Sequence, residues 1–234
     1  MNEGGLVNLM EQQLELIAKS YDKAIEFGKQ GIDLYKDLPE YITNDPDFSK
    51  WSNEEGGSSC NHIKEYLAPQ ANMKLIDLGC SLNLMFRGYD TWPSTYYGID
   101  ISSKTIELLH HFVAEKQLPI GSLVCGSIHE TPYEESYFDI AACIGILEYY
   151  EKDFVRAAIK EMHRIIKPGG KLVLDIPNIG DPTCRIMMLI EEHLERPDRF
   201  DMLYPEFEEM IKDYFGIEKV IEGAMMQYFL ICKK

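Results

Sequence analysis

Basic residues are scarce in this chain. Lys and Arg number 23 against 39 Asp and Glu, giving a net charge of −16. Such a surface repels phosphate backbones and anionic lipid, and no Lys/Arg cluster interrupts it. Nucleic acid is therefore not expected as a substrate, nor a membrane as a partner. Long apolar runs are also missing: none approaches the roughly 18 residues that a membrane-crossing helix needs. The N-terminus, MNEGGLVNLMEQQ, has no basic region followed by an apolar stretch, so no signal peptide is expected. Cysteine pairing signals are absent too. Cys60, Cys80, Cys125, Cys143, Cys184 and Cys232 are widely spaced, without a C-x-x-C pair, and most lie in apolar runs. That pattern fits a reducing, cytoplasmic setting. Cys60 and His62 make one potential ligand pair that no second pair answers, so no metal site is expected.

What is present fits one α/β domain with added elements: 234 residues, 45% hydrophobic and 26% charged. Residues 6–42 have helical texture, with Leu14, Ile17, Tyr21 and Ala24 on one face, until Pro39 and Pro46 break it. Ser49 to Ser59 is a polar, Gly/Ser-rich connector containing Trp51. A short helix follows from about Asn61 to Leu67. Beyond Pro69, strands and helices alternate. Strands are expected at Met73–Leu78, Tyr96–Ile101, Leu123–Cys125, Phe138–Ile144 and Lys171–Ile176, the last introduced by a Pro168-Gly169-Gly170 turn. A tightly linked pair, about Ile217–Gly223 and Gln227–Cys232, closes the chain. Strand–helix alternation predicts a doubly wound, mostly parallel seven-stranded sheet, with the closing pair antiparallel. Residues 1–60 read as a helical extension, 61–234 as the main domain, and 177–205 as an insertion within it.

In an open α/β sheet, ligands bind outside the carboxyl ends of the strands. Those ends here are Asp77-Leu78-Gly79-Cys80-Ser81, Asp100-Ile101, Gly126-Ser127-Ile128 and Ile144-Gly145. Gly79 permits a sharp turn and close backbone approach. Asp100 follows 21 residues later, the spacing of an acid that accepts both hydroxyls of a ribose. A dinucleotide loop would need three glycines to receive a pyrophosphate; Ser81 and Leu84 stand at two of those positions. Asp77 would repel phosphate and attract an ammonium. Ribose, adenine and a cationic amino-acid tail together describe S-adenosylmethionine. An NAD-dependent oxidoreductase is correspondingly disfavoured.

The stretches LIDLGCS, YYGIDIS, GSIHETPYEESYFD, GILEYYEKD and EMHRIIKPGGKLVLDIP, in this order and spacing, resemble the class I S-adenosylmethionine-dependent methyltransferases, in particular the small-molecule group. The resemblance runs from about Asn61 to the C-terminus and implies a Rossmann-like fold. It also implies roles. Asp77 and Gly79 match residues holding the methionine end, with Cys80 and Ser81 completing that loop. Asp100 matches the ribose acid. Ile101 and Ile128 match the residues that sandwich adenine. Ser127 stands where the family often has an Asp that accepts from the adenine amine. Ile144 and Gly145 match the backbone beside the sulfonium. Ser81, Asn83 and Ser127 are departures from the family's pattern.

The methyl acceptor is expected near Glu148, Tyr149 and Tyr150. Glu148 is a candidate for orienting or deprotonating it, or else a helix-start acid; Tyr149 is a candidate for lining its pocket. Ile144-Gly145-Ile146-Leu147 occupies the place where enzymes methylating nucleobase amines or protein glutamine carry Asn/Asp-Pro-Pro-aromatic. The expected function is transfer of the sulfonium methyl to a small-molecule acceptor, releasing S-adenosylhomocysteine. The alternative is a non-catalytic protein that binds either nucleoside on the same fold.

Overall fold

The computed structural model describes residues 3–53 and 61–234. Helix α1 (Glu3–Lys29) is followed by the short α2 (Glu40–Thr43) and α3 (Phe48–Asn53). The helical texture expected to about residue 42 stops earlier, at a glycine. Gly31 adopts φ +76°, and the amides of Ile32 and Gly31 turn back onto the carbonyls of Phe27 and Gly28 at 3.0 Å each. That pairing is a left-handed helix stop, which glycine enters without steric cost. The second half of the polar connector, with Cys60, lies outside the described residues.

The main domain opens with α4 (Asn61–Leu67) and β1 (Lys74–Leu78), then the four-residue α5 (Asn83–Phe86). Next come β2 (Thr95–Asp100), α6 (Ser103–Lys116), β3 (Ser122–Cys125), β4 (Phe138–Cys143) and α7 (Lys152–Ile165). The chain closes with β5 (Ile166–Pro177), α8 (Pro182–His193), α9 (Tyr204–Lys212), β6 (Phe215–Glu222) and β7 (Met226–Lys233).

The seven strands form one sheet in the order β3-β2-β1-β4-β5-β7-β6. All pairings are parallel except β5 with β7 and β6 with β7. Strand order therefore reverses between β1 and β4, and the crevice at their carboxyl ends is where such sheets take ligands. One face of the sheet, through Ile76, Leu78, Ala141 and Cys143, packs on α7 and α9; the other, through Leu75, Ile140, Ala142 and Val173, packs on α4 and α6. Helix α7 shows why: Phe154, Val155, Ala158, Ile159, Met162 and Ile165 lie on one stripe and are all buried. Each large apolar side chain buried there stabilises the layer by about 1.5–3 kcal/mol.

One expectation is corrected. Pro168-Gly169-Gly170 does not precede the fifth strand but lies inside it. β5 begins directly after α7, and its register against β4 shifts between Phe138 and Ile140, which pair with Ile166 and Lys171. Gly169 takes φ +77°, and a Cβ on Gly170 would fall 2.9 Å from the Asp139 carbonyl oxygen. The glycines thus form a bulge that presses against β4. Helix α8, within the 177–205 segment, packs against the N-terminal helices. Trp51 tilts against Phe48, and Ile42, Ile186 and Ile190 bury between α2, α3 and α8, so Trp51 packs these helices together.

Candidate functional site

Two cavities open at the carboxyl ends of the strands, one on each side of the loop after β4. The first is a narrow cleft of about 30 Å³ lined by Gly79, Ser81, Asp100, Ile101, Ser127 and Ile128, with Ile146, Tyr149 and Tyr150 from the β4 loop and Ile17 and Tyr21 from α1. The second is larger, about 400 Å³, and is lined by Ile144, Gly145, Glu148, Asp175, His62, Arg87 and the β6–β7 turn with Met225 and Met226.

The loop after β1 is built on a left-handed backbone. Gly79 has φ +72° and Ser81 φ +39°. Position 81 therefore keeps a conformation that favours glycine, at a steric cost of about 1–2 kcal/mol for an L-residue. What the loop gains is contact with the neighbouring strand: the Gly79 and Cys80 amides both reach the Ile99 carbonyl at 2.9 Å. The Ser81 amide donates to Asp100 Oδ2 at 2.8 Å, and the Ser102 amide to Asp100 Oδ1 at 2.8 Å. Both carboxylate oxygens are oriented by backbone, and each retains capacity to accept a further hydrogen bond where Asp100 lines the cleft. Burial pushes the Asp100 carboxyl above its ordinary range, against the pull of those two amides.

Asp77 lines neither cavity. It is completely buried, accepting from the Tyr96 hydroxyl at 2.9 Å and the Asn83 amide at 3.4 Å, while Arg87 Nε donates to Asn83 Oδ1 at 2.9 Å. Asn83, a departure from the family pattern, is thus the link between Arg87 and Asp77. Burial pushes the Asp77 carboxyl up to about 7, opposed by Tyr96, Arg87 and Asn83. Cys80 is likewise buried, its sulfur 3.0 Å from where a Cβ on Gly98 would sit. Ser127 Oγ pairs with His129 Nδ1 at 2.6 Å.

The structure separates the two residues that the sequence puts side by side as acceptor-site candidates. Tyr149 faces the cleft, its hydroxyl 3.0 Å from that of Tyr21 and donating to Glu191 at 3.1 Å. Glu148 faces the larger cavity. Ile144 and Gly145 border that cavity as well, and the Gly145 amide donates to Asp175 Oδ1 at 2.7 Å. Ile146 stands between the two spaces: a Cβ on Gly79 would fall 2.3 Å from Ile146 Cδ1, so this side chain rests on the bare glycine backbone.

Sequence reasoning missed Asp175, Arg87, Ile146 and the methionines. Asp175 left a signal: a lone acid in the apolar run Leu172-Val173-Leu174-Asp175-Ile176. The others left none, because only the fold brings them to the strand ends. Among the described residues, no group of three or more His, Cys, Asp or Glu is arranged to hold a metal ion. No helix of the described residues is long and apolar enough to cross a membrane.

Helix α1 closes the cleft from outside. Asp22 accepts from Ser102 Oγ at 2.6 Å and from the Lys104 amide at 3.1 Å, adding a second cap to the start of α6, where Ser102 already accepts from the Thr105 amide at 3.0 Å. On its other flank, Arg196 pairs with Glu191 and donates to Tyr35 at 2.6 Å, with its guanidinium 4.5 Å from the Tyr21 ring centroid.

Residues 76–174 match the family described as "Methyltransferase domain". A sterol 4-C-methyltransferase of Caenorhabditis elegans is 27% identical over 131 residues, covering 55% of this chain and 39% of that protein. A demethylmenaquinone methyltransferase of Geobacillus sp. is 34% identical over 77 residues, covering 33% of this chain and 32% of that protein. The chain thus spans well under half the length of these two relatives. Geranyl diphosphate C-methyltransferase from Streptomyces coelicolor A3(2), solved with S-adenosyl-L-homocysteine, superposes with a TM-score of 0.60 at 16% identity, over 84% of each chain. The PH0226 protein of Pyrococcus horikoshii OT3 superposes at 0.62 and 17% identity, over 84% of this chain and 100% of that one. At these identities the superpositions speak for the fold alone. The match over residues 76–174, the curated relatives and the strand order agree in pointing to a Rossmann-like, class I S-adenosylmethionine-dependent methyltransferase.

Proposed function

We propose that this protein transfers a methyl group from S-adenosylmethionine to a small-molecule acceptor. One observation carries the reading above the rest. At the point where strand order reverses, a left-handed Gly79–Ser81 loop clamps Asp100 by an amide and presents it to a cleft walled by Ile101 and Ile128. A ribose with its purine is the ligand that uses such a carboxylate and two such apolar faces.

The residues fit the nucleoside half directly. Asp100 accepts the ribose hydroxyls, Ile101 and Ile128 cover the base, and Ser127, with His129 as its partner, offers an uncharged polar edge. The amino-acid half requires Ile146 to rotate off Gly79, a side-chain motion of the ps–ns kind in partly exposed residues. That rotation joins the cleft to the larger cavity, past Ile144 and Gly145. The bound cofactor supplies a methyl group already activated on a sulfonium. The protein's contribution is therefore alignment and exclusion of water. Helix α1 covers the cleft as a lid, while Met187 of the 177–205 insertion lines the larger cavity, which is assigned to the acceptor.

The acidic surface supports a small molecule over nucleic acid. Titration calorimetry with S-adenosylmethionine and S-adenosylhomocysteine tests the reading. Saturable one-to-one binding of either is expected; no heat from either at high micromolar concentration would remove the proposal.

A further inference from the structure

The larger cavity contains an acid with nothing to bind. Glu148 is 4% exposed, and its Oε2 has no hydrogen-bond partner. A buried carboxylate oxygen left unpaired costs several kcal/mol unless a ligand completes it. Glu148 does not stand alone. Its Oε1 lies 3.7 Å from where a Cβ on Gly145 would sit, and Asp175, 1% exposed, binds the Gly145 amide from the next strand. Two buried carboxyls therefore flank one glycine at the mouth of β4 and β5. The strongest charges facing Glu148 are all acidic: Asp175 from β5, Glu191 from α8 and Asp198 beyond α8. Arg87 faces Asp175 and Asp77 from the far rim. His62 adds little positive charge, since burial and Arg87 push it below its ordinary value.

Strand order separates these carboxyls from the nucleoside. Asp100 ends β2 and Gly79 follows β1; Asp175 belongs to β5, two strands beyond β1, or roughly 10 Å at ~4.8 Å per strand. The larger cavity's volume of about 400 Å³ falls within the ~300–1,000 Å³ usual for a small-molecule site. Its remaining wall, Met187, Met225, Met226 and Tyr228, is apolar and, in the methionines, adaptable.

We propose that the acceptor is a small amine with an apolar body, bound as its ammonium between Glu148 and Asp175. This rests on the methyl-transfer reading for the word acceptor, but the cation site stands on its own geometry. The ammonium donates to Glu148 Oε2 and to Asp175, and the apolar body lies among the methionines. Transfer of one N–H proton to Glu148 Oε2 leaves the nitrogen with a free lone pair and Glu148 neutral. Burial and the surrounding acids favour that neutral form, holding Glu148 well above the ordinary carboxyl range.

The test is a binding comparison on the whole chain saturated with S-adenosylhomocysteine. Hexylamine and benzylamine are titrated beside hexanol, benzyl alcohol and hexanoate at pH 8. Each amine is expected to bind at least about tenfold tighter than its matched alcohol, with hexanoate excluded. Glu148→Gln and Asp175→Asn should each remove most of that preference while leaving S-adenosylhomocysteine affinity within a factor of about two. Binding of amines with release of a proton, read from heats in buffers of different ionisation enthalpy, is a further expected sign. Alcohols that bind as well as amines, no binding by either amine, or amines that displace S-adenosylhomocysteine would each overturn the proposal; the last would assign the carboxyls to the cofactor's own ammonium. Failure of S-adenosylhomocysteine to bind, with the amine preference intact, would instead remove the methyl-transfer reading and leave the cation site.

Discussion

Ser81 holds a left-handed backbone, φ +39°, for the sake of one amide aimed at Asp100. Glycine would hold it without the ~1–2 kcal/mol steric cost, but its freer unfolded chain offsets about 0.5–1 kcal/mol of the gain. Ser81→Gly should therefore raise the melting temperature by about 1–4 °C and leave S-adenosylhomocysteine affinity unchanged or better, as read by scanning calorimetry and titration. Gly79→Ala should do the reverse. It strains φ +72° and drives a methyl into Ile146, and at least a tenfold loss of affinity, about 1.4 kcal/mol, is expected. Asp100→Asn sets an amide NH₂ against the amides of Ser81 or Ser102, so two donors face each other. Loss of the charge-assisted bonds should likewise weaken the nucleoside by about tenfold or more.

Asp77 carries a pH signature. Its carboxyl is pushed to about 7 by burial, with Tyr96, Asn83, Arg87 and Asp100 around it, whereas an unfolded Asp titrates near ~3.9. The folded state thus binds more protons than the unfolded state in between. This contribution to stability is fully present below about pH 4 and is lost as pH rises through about 7, a matter of a few kcal/mol. Urea unfolding from pH 4 to 8 should show stability falling with pH. Asp77→Asn should make that slope shallower, with the remainder coming from Glu148 and Asp175, whose carboxyls are raised in the same direction.

At the scale of elements, the strands and their carboxyl ends are legible in the sequence because each is local. An apolar run, a glycine and a capping serine such as Ser102 lie within a few residues of one another. The position of Asp100 is legible for the same reason: parallel neighbours joined by one crossover put it beside the Gly79 loop at a fixed spacing. The Pro168-Gly169-Gly170 bulge is misread as a turn because its partner, Asp139, lies about thirty residues upstream, and only the register between β4 and β5 shows that the glycines admit it. The seat of α1 is invisible for a related reason. Its spacing shows an apolar face but not that Asp22 will cap α6, about eighty residues away. The cap is testable. Asp22→Ala should speed amide exchange across the second half of α1 and raise the dissociation rate of S-adenosylhomocysteine several-fold, a loss of about 1 kcal/mol at one cap. Equal exchange in the variant and the parent would show that α1 is held elsewhere.

For the whole molecule, the −16 charge takes on a sense that composition alone does not give. An acidic surface around a cavity that ends in two carboxyls concentrates cations and turns anions away. Amine association should accordingly slow as ionic strength rises from low to physiological, with a smaller change in the dissociation rate. The sheet divides the two spaces: the ends of β1 and β2 border the cleft, β5 and the β6–β7 turn border the second cavity, and the loop after β4 faces both.

Helix α1 lies across the cleft and is fastened to α6 on one flank through Asp22 and to the end of α8 on the other through Ser20, whose hydroxyl donates to the Leu194 carbonyl at 2.8 Å. On the methyl-transfer reading proposed above, release of the spent nucleoside should require the helix to lift, and turnover is expected to be paced by departure rather than by chemistry. Rapid mixing with an accepted amine should give a burst of one methylated product per chain, followed by a slow linear phase. Asp22→Ala should steepen the slow phase while leaving the burst as it is.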